Sequence, residues 1–318
     1  MKVKFHLPDF ARLGKFNLMF KIMLERSPEF FREGVEIASV YGTFPPSAWN
    51  GGRLQPGNCN PDFVKNVVRI YENNNIPLRF TFTNPMVEEE HLSDEFCNYV
   101  LETAHNENNG CIVFSPVLEE YIRKNFPKYK ITSSTCKRIL DADTLYNELE
   151  KDYHLVVLDY DLNHRYDILE KIPNKDKIEI LVNPCCTPAC PNRSLHYRML
   201  GMEQLIIANH VKKYPQIPYN AKKFETDHPE GKPVFECQCE NRTVFDIQGL
   251  STHITPDEIW DKYVPMGFNN FKIEGRTFDL FNLIEHYMYY MVKPECRDKA
   301  RLILLRNLMR NDVISCDC

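Results

Sequence analysis

Five of the chain's twelve cysteines fall into two short groups, Pro184-Cys185-Cys186-Thr-Pro-Ala-Cys190-Pro191 and Cys237-Gln-Cys239. Pro184, Pro188 and Pro191 stiffen the first group and suit it to holding thiolates in fixed directions. Loop-borne thiolates together with a Cys-x-Cys pair supply four sulfur donors, enough for an iron–sulfur cluster (4Fe-4S) or for a closed tetrahedral zinc. Cys185, Cys186, Cys190, Cys237 and Cys239 are therefore the candidate metal ligands, with the choice of four among the five left open. Their spacing is neither the ferredoxin run nor the paired Cys-x2-Cys of zinc ribbons. Cys59, Cys97, Cys111, Cys136 and Cys296 are better read as small buried side chains. Cys316 and Cys318 read as part of a frayed end.

A second set of chemical residues lies in Phe271-Lys-Ile-Glu-Gly-Arg276. Alternation along a strand sends Phe271 and Ile273 to one face and Lys272 and Glu274 to the other. Burying Lys272 and Glu274 is costly unless they satisfy each other or a ligand, and an ion pair is the better reading for Lys272. Gly275 permits a tight exit, after which Arg276 is placed to clamp a carboxylate or phosphate. Asp159 and Asp161 share one face at the end of another apolar run, where paired carboxylates split acid and base roles or hold a metal. His253 offers a general acid/base at neutral pH, or simply packs beside the helix start Thr255-Pro-Asp-Glu258.

These residues need a scaffold, and the apolar pattern supplies one. Strand-like runs centre near residues 5, 38, 80, 112, 132, 157, 180 and 272. Helical spacing separates them, as in Leu13–Phe31, where Phe16, Met19, Phe20, Met23 and Leu24 recur at intervals of three and one. Eight strand–helix units predict an α/β fold, a (β/α)8 TIM-like barrel over residues 1–292. Between the seventh and eighth strands lies a long cysteine-bearing insertion, residues 184–262. Within it Val234–Glu240 and Thr243–Gln248 alternate and predict a hairpin. Residues 293–318 read as a final helix and a tail.

Composition narrows the function classes. With 39 Lys+Arg against 44 Asp+Glu the net charge is −5, which argues against non-specific nucleic-acid binding. The N-terminus has no apolar signal core, and no run reaches the roughly 18 apolar residues of a membrane span. The expectation is a cytoplasmic protein with reduced thiols and no membrane contact.

The motif Lys272-Ile-Glu-Gly-Arg276, preceded by Gly267-Phe-Asn-Asn-Phe271, resembles the collagenase-like peptidase family U32. Val40-Tyr41-Gly42 with the later Arg53 resembles that family's second strand, Thr83-Asn84 its third strand end, and Ser133-Ser134-Thr135 its fifth. Ile178–Val182 followed by Cys186 resembles its Glu-x-Phe-Val-x-Gly-x-Leu-Cys segment. The likeness runs from about Lys2 to Phe278. It implies a barrel and a cluster carried by four cysteines, set beside Glu274, Arg276, Arg53 and Asn84. Family members include oxygen-independent hydroxylases of ubiquinone synthesis, which work as a heterodimer, and hydroxylases of transfer or ribosomal RNA. Others are classed as peptidases. The compressed Cys185-Cys186-x3-Cys190 and the pair Cys237 and Cys239 depart from the family spacing.

Three functions follow as expectations. The first is an iron–sulfur hydroxylase-type redox enzyme, with Glu274, Arg276 and His253 as catalytic groups and Arg53, Asn84, Asp159 and Lys272 binding substrate. The second is a peptidase or other hydrolase using Cys186 with His196 or His253. The third is a zinc-stapled, non-catalytic subunit that pairs with a partner through the aromatic helix Phe278–Val292. The substrate is open among a small aromatic, a peptide and an RNA base. Lys212, Lys213, Lys222 and Lys223 near Tyr214 and Tyr219 read as a solvated surface rather than a nucleic-acid groove.

Overall fold

The computed structural model describes residues 2–275 and 279–314, so Arg276, Cys316 and Cys318 lie outside the described residues. Eight parallel strands close into a barrel in chain order. They are β1 (Val3–Pro8), β2 (Val35–Gly42), β3 (Leu78–Phe82), β4 (Gly110–Val113), β5 (Lys130–Ser133), β6 (Leu155–Val157), β7 (Ile178–Leu181) and β8 (Asn270–Lys272). β8 pairs with both β7 and β1, which seals the ring. The (β/α)8 expectation holds.

Helices follow the strands: α1 (Gly14–Arg26), α2 (Pro61–Asn73), α3 (Glu95–Thr103), α4 (Pro116–Asn125), α5 (Ala142–Glu150) and α6 (Tyr166–Leu169). Asn60, Asp94, Ser115 and Asp141 cap α2 to α5 by accepting hydrogen bonds from first-turn N–H groups. The eighth crossover is Leu280–Met291, and Arg297–Arg310 closes the chain against it and α1.

Alternation decides what fills the barrel. Phe5, Phe80, Phe82, Ile180 and Phe271 point outward and are fully buried under the helices. Their neighbours point inward, and several of those are charged. Glu179 is wholly buried and pairs with Arg79, with Lys272 at 3.1 Å and with His6 at 3.6 Å. Arg79 also donates to Thr132 Oγ1 at 3.2 Å, and His6 bonds Ser39 Oγ at 2.7 Å and Asn270 Oδ1 at 3.1 Å. The Lys272 ammonium lies over the Tyr41 ring, 4.1 Å from its centroid. Burial alone would raise the Glu179 pKa, but Arg79 and Lys272 hold the carboxyl well below the usual range.

The insertion corrects one expectation and adds a helix. It opens with α7 (Arg193–Lys213), the longest helix among the described residues. It contains no hairpin at 234–248, where the alternating runs predict one. Helical turns occupy Lys232–Phe235, Cys239–Asn241 and Val244–Gln248 instead. Pro233 sits in the first turn of one, and a reciprocal Thr243–Asp246 capping box starts another. Two short alternating runs were outvoted by local capping chemistry.

Replacing Glu179 with Gln leaves Arg79 buried without the carboxylate it pairs with and takes from Lys272 its 3.1 Å ion pair. We expect Glu179→Gln to lower unfolding free energy by about 3–5 kcal/mol in urea melts, while the exposed Glu107→Gln leaves the midpoint unchanged. A loss under about 1 kcal/mol would show that the barrel floor does not depend on this charge. Burial also holds His6 and His286 neutral, with pKa lowered to about 3, and His253 to about 4. In the unfolded chain these rings take up protons near their ordinary value of about 6.5. Stability is therefore full above about pH 6.5 and falls as pH drops towards 4, read as a declining melting temperature.

Candidate functional site

The site is built at the C-terminal ends of the strands, where barrel loops gather. A cavity of about 80 Å³ is lined there by Tyr41, Thr81, Cys136, Lys272, Glu274 and Arg53, among others. Glu274 is held from both sides. The Asn183 side chain accepts from the Glu274 N–H at 2.7 Å and donates to its carbonyl at 3.1 Å, extending the β7–β8 ladder by one rung. The Glu274 carboxylate pairs with Arg53 and accepts the Cys185 N–H at 2.9 Å. Arg53 in turn donates to Cys185 Sγ at 3.1 Å. Burial, followed by the Glu274 charge, pushes the Cys185 thiol up and keeps it protonated.

Beyond Arg53, Tyr160 and Tyr197, which line both spaces, a second chamber of about 210 Å³ contains Cys185, Cys186, Cys237 and Cys239, with His196 on α7. Cys237 Sγ stands 3.1 Å from Cys239 Sγ, and Thr187 Oγ1 stands 3.6 Å from it. Hydrogen bonds from Cys186 and then Cys237 draw the Cys239 pKa down, while the same contact with Cys239 drives Cys186 up. Cys190 is near enough for its charge to act on Cys237.

Sulfur donors suit a thiophilic centre, and Cys186, Cys237 and Cys239 line the chamber with Cys190 close to Cys237. Cys185 is committed to Arg53 and Glu274. As it stands, the Cys237 thiol is hydrogen-bonded to Cys239: tetrahedral zinc at about 2.3 Å per bond keeps its thiolates about 3.8 Å apart, wider than the Cys237–Cys239 separation. No group of three or more described His, Cys, Asp or Glu side chains is arranged to hold a metal ion. The nest would have to splay to take one.

Other expected residues fall elsewhere. Lys272 lines the barrel cavity but spends its charge on Glu179. Asp159 reaches neither cavity. It and Asp161 grip Arg193, the first residue of α7, at 3.0 and 2.9 Å, and the guanidinium stacks 3.8 Å from the Tyr160 centroid. Asn84 is fully buried and spends its amide on the carbonyls of Ala48 and Gly201 at 2.8 and 3.0 Å. A Cβ on Gly201 would meet Asn84 Oδ1 at 2.4 Å, so only glycine lets α7 sit this close to β3. His253 packs near the Tyr289 and Tyr290 rings, its carbonyl accepting from His164 Nε2 at 2.9 Å, and lines neither cavity. Burial holds its pKa to about 4, which suits packing rather than acid/base work.

Tyr160 and Tyr197 line the barrel cavity without having been singled out, and so does Cys136, which the sequence reads only as a small buried side chain. Arg193 and Gln204 were missed with their helix. Tyr197, Leu200, Gln204 and Ile207 do recur at helical spacing, but a glutamine in the stripe hid it. Gln204 donates to the Ser47 carbonyl at 3.0 Å and accepts the Gln55 N–H at 2.8 Å, tying α7 to the loop that carries Arg53.

Fold and site together define a (β/α)8 barrel with a cysteine-rich insertion over its mouth. Neither a family model nor a curated protein matches the chain. Among solved structures it is similar to that of the U32 peptidase Mk0906, with a TM-score of 0.50 and 12% identity over 87% of this chain and 94% of that one. At that identity the likeness concerns the fold, and at that level the U32 resemblance of the sequence is borne out. No helix among the described residues is long and apolar enough to cross a membrane.

The clamp predicts a graded thiol reactivity. In the native metal-free chain at about pH 8, iodoacetamide should alkylate the partly exposed Cys190 and Cys237 while the fully buried Cys185 stays unmodified. Arg193→Met should release the loop and expose Cys185 to labelling, read by peptide mass spectrometry. An unchanged pattern in that variant would mean that the Asp159–Arg193–Asp161 clamp does not order the cysteine loop.

Proposed function

We propose that the chain is a redox enzyme of hydroxylase type whose cysteine nest holds an iron–sulfur cluster, with Cys186, Cys190, Cys237 and Cys239 as ligands. The observation that carries this reading is that Cys186, Cys237 and Cys239 line one chamber, with Cys190 close to Cys237, and that this chamber shares its Arg53–Tyr160–Tyr197 wall with the barrel cavity. Such a cluster, when bound, supplies one-electron transfer at a potential set by its surroundings. The chain's own groups would do the rest. Glu274, fixed by Asn183 and Arg53, presents a carboxylate to the cavity, and Lys272, paired with Glu179, closes its inner end. Tyr160 and Tyr197 limit water between the two spaces.

A hydrolase is the second reading, favoured by the likeness in fold to the U32 peptidase Mk0906 and by one local arrangement. Ser39, His6 and Glu179 are connected in the manner of a nucleophile, base and orienting acid. His6, however, has its pKa lowered to about 3, and Ser39 is 2% exposed on the barrel floor. A weak base beside a sealed hydroxyl is a polar plug. The partner-subunit and zinc readings have no comparable observation behind them.

The test is anaerobic reconstitution of the wild type and of single cysteine variants. The wild type should turn brown with near-equal iron and sulfide. Cys186→Ala, Cys190→Ala, Cys237→Ala and Cys239→Ala should each lose most of the visible absorption, whereas Cys185→Ala and Cys136→Ala keep it. A colourless wild type with one tightly held zinc would replace this reading with a structural staple.

A further inference from the structure

The cysteine chamber is also lined by residues that the cluster reading leaves unused. It lies between α7, helix Ala221–Asp227 and the turn Lys232–Phe235, and the side chain of Glu203 lines it. Glu203 is only 5% exposed, and no cation stands within ion-pair distance of it among the described residues. Its polar neighbours are the Tyr219 hydroxyl and the Glu225 carboxylate. The cations on the chamber's other walls are already matched, Arg53 by Glu274 and Arg193 by Asp159 and Asp161. His196 is held neutral, its pKa lowered to about 4 by burial and then by Arg53.

A buried carboxyl with no protein cation to answer it is costly in its charged form. Burial accordingly raises the Glu203 pKa to about 7, with Glu225 adding to it. Glu225 is exposed at the lip, and Tyr160, Tyr197 and Phe235 contribute aromatic wall. A carboxylate floor between aromatic faces suits an organic cation better than a hydrated metal ion. At about 210 Å³ the chamber is smaller than the roughly 300–1,000 Å³ of whole-ligand pockets, so it accepts one end of a longer molecule.

We propose that this chamber is a subsite for an organic ammonium group, a primary amine on a short apolar chain, with Glu203 as its counter-ion and Glu225 guiding entry. The proposal does not depend on a cluster in the nest. A ligand of this kind would present its amine to Glu203 and leave its remainder near Arg53 and the barrel cavity.

The test is a ligand-observed NMR titration of the full, metal-free chain with n-butylammonium, using n-butanol as the neutral isostere. At about pH 8 the ammonium should bind at least tenfold more tightly than the alcohol. On lowering the pH to about 5.5 its affinity should fall by an order of magnitude, because Glu203 takes up a proton that the cation must displace. Glu203→Gln should abolish both the preference and the pH dependence, while Glu225→Gln weakens binding but keeps the pH dependence. Equal affinity for amine and alcohol, a flat pH profile in the wild type, or no amine binding at tens of millimolar would each overturn the proposal. If Glu203→Gln fails to fold, the wild-type pH profile and the alcohol comparison still decide it. Iron content is independent of all these outcomes, so failure here and failure of the cluster reading are separable.

Discussion

Closing eight parallel strands into a ring forces every second side chain into one narrow dry tube, and in this chain that tube contains a carboxylate. Glu179 is tolerable only because Arg79, Lys272 and His6 converge on it from β3, β8 and β1. The network ties together strands far apart in sequence and fills the barrel floor with satisfied polar groups. It also directs the chemistry. With Lys272 anchored below, Glu274 two residues further on shares its face and emerges at the mouth, the one end of the barrel where the loops can build around it.

The mouth is joined to the insertion through a few contacts. Arg53, Glu274 and Cys185 form a junction in which a strand end, the loop after β2 and the loop after β7 meet. α7 is pinned at its start by Arg193 on Asp159 and Asp161, and further along by Gly201 on Asn84 and by Gln204 on the Ser47 and Gln55 backbone. Pinned in this way, the insertion sets its cysteines over the barrel instead of hanging from it. The fifth cysteine of the group belongs to the junction rather than to the sulfur nest.

The barrel was legible because its signals are local. The apolar runs near residues 80 and 180, and the helical spacing of Phe16, Met19, Phe20, Met23 and Leu24, each specify an element without reference to the rest of the chain. The inward direction of Lys272 and Glu274 followed from alternation along their strand. The insertion was not legible, since its order comes from tertiary contacts that periodicity cannot see. α7 buries Arg193, Glu203 and Gln204, polar residues that break an apolar stripe, and the expected hairpin gave way to the Thr243–Asp246 capping box. Asp159 and Asn84 looked like site residues because they are polar groups at strand ends. Their partners, Arg193 and the Gly201 carbonyl, arrive from α7, 34 and 117 residues away. Arg276, the most pointed expectation of the motif, lies outside the described residues.

The central claim is that the thiols gathered at the mouth serve one metal centre. Native mass spectrometry of the chain isolated without oxygen tests it most directly. The account predicts a single added mass equal to four irons and four sulfides, lost as one unit when Cys239 is replaced by Ala. A bare chain, or one carrying a lone zinc, would contradict it.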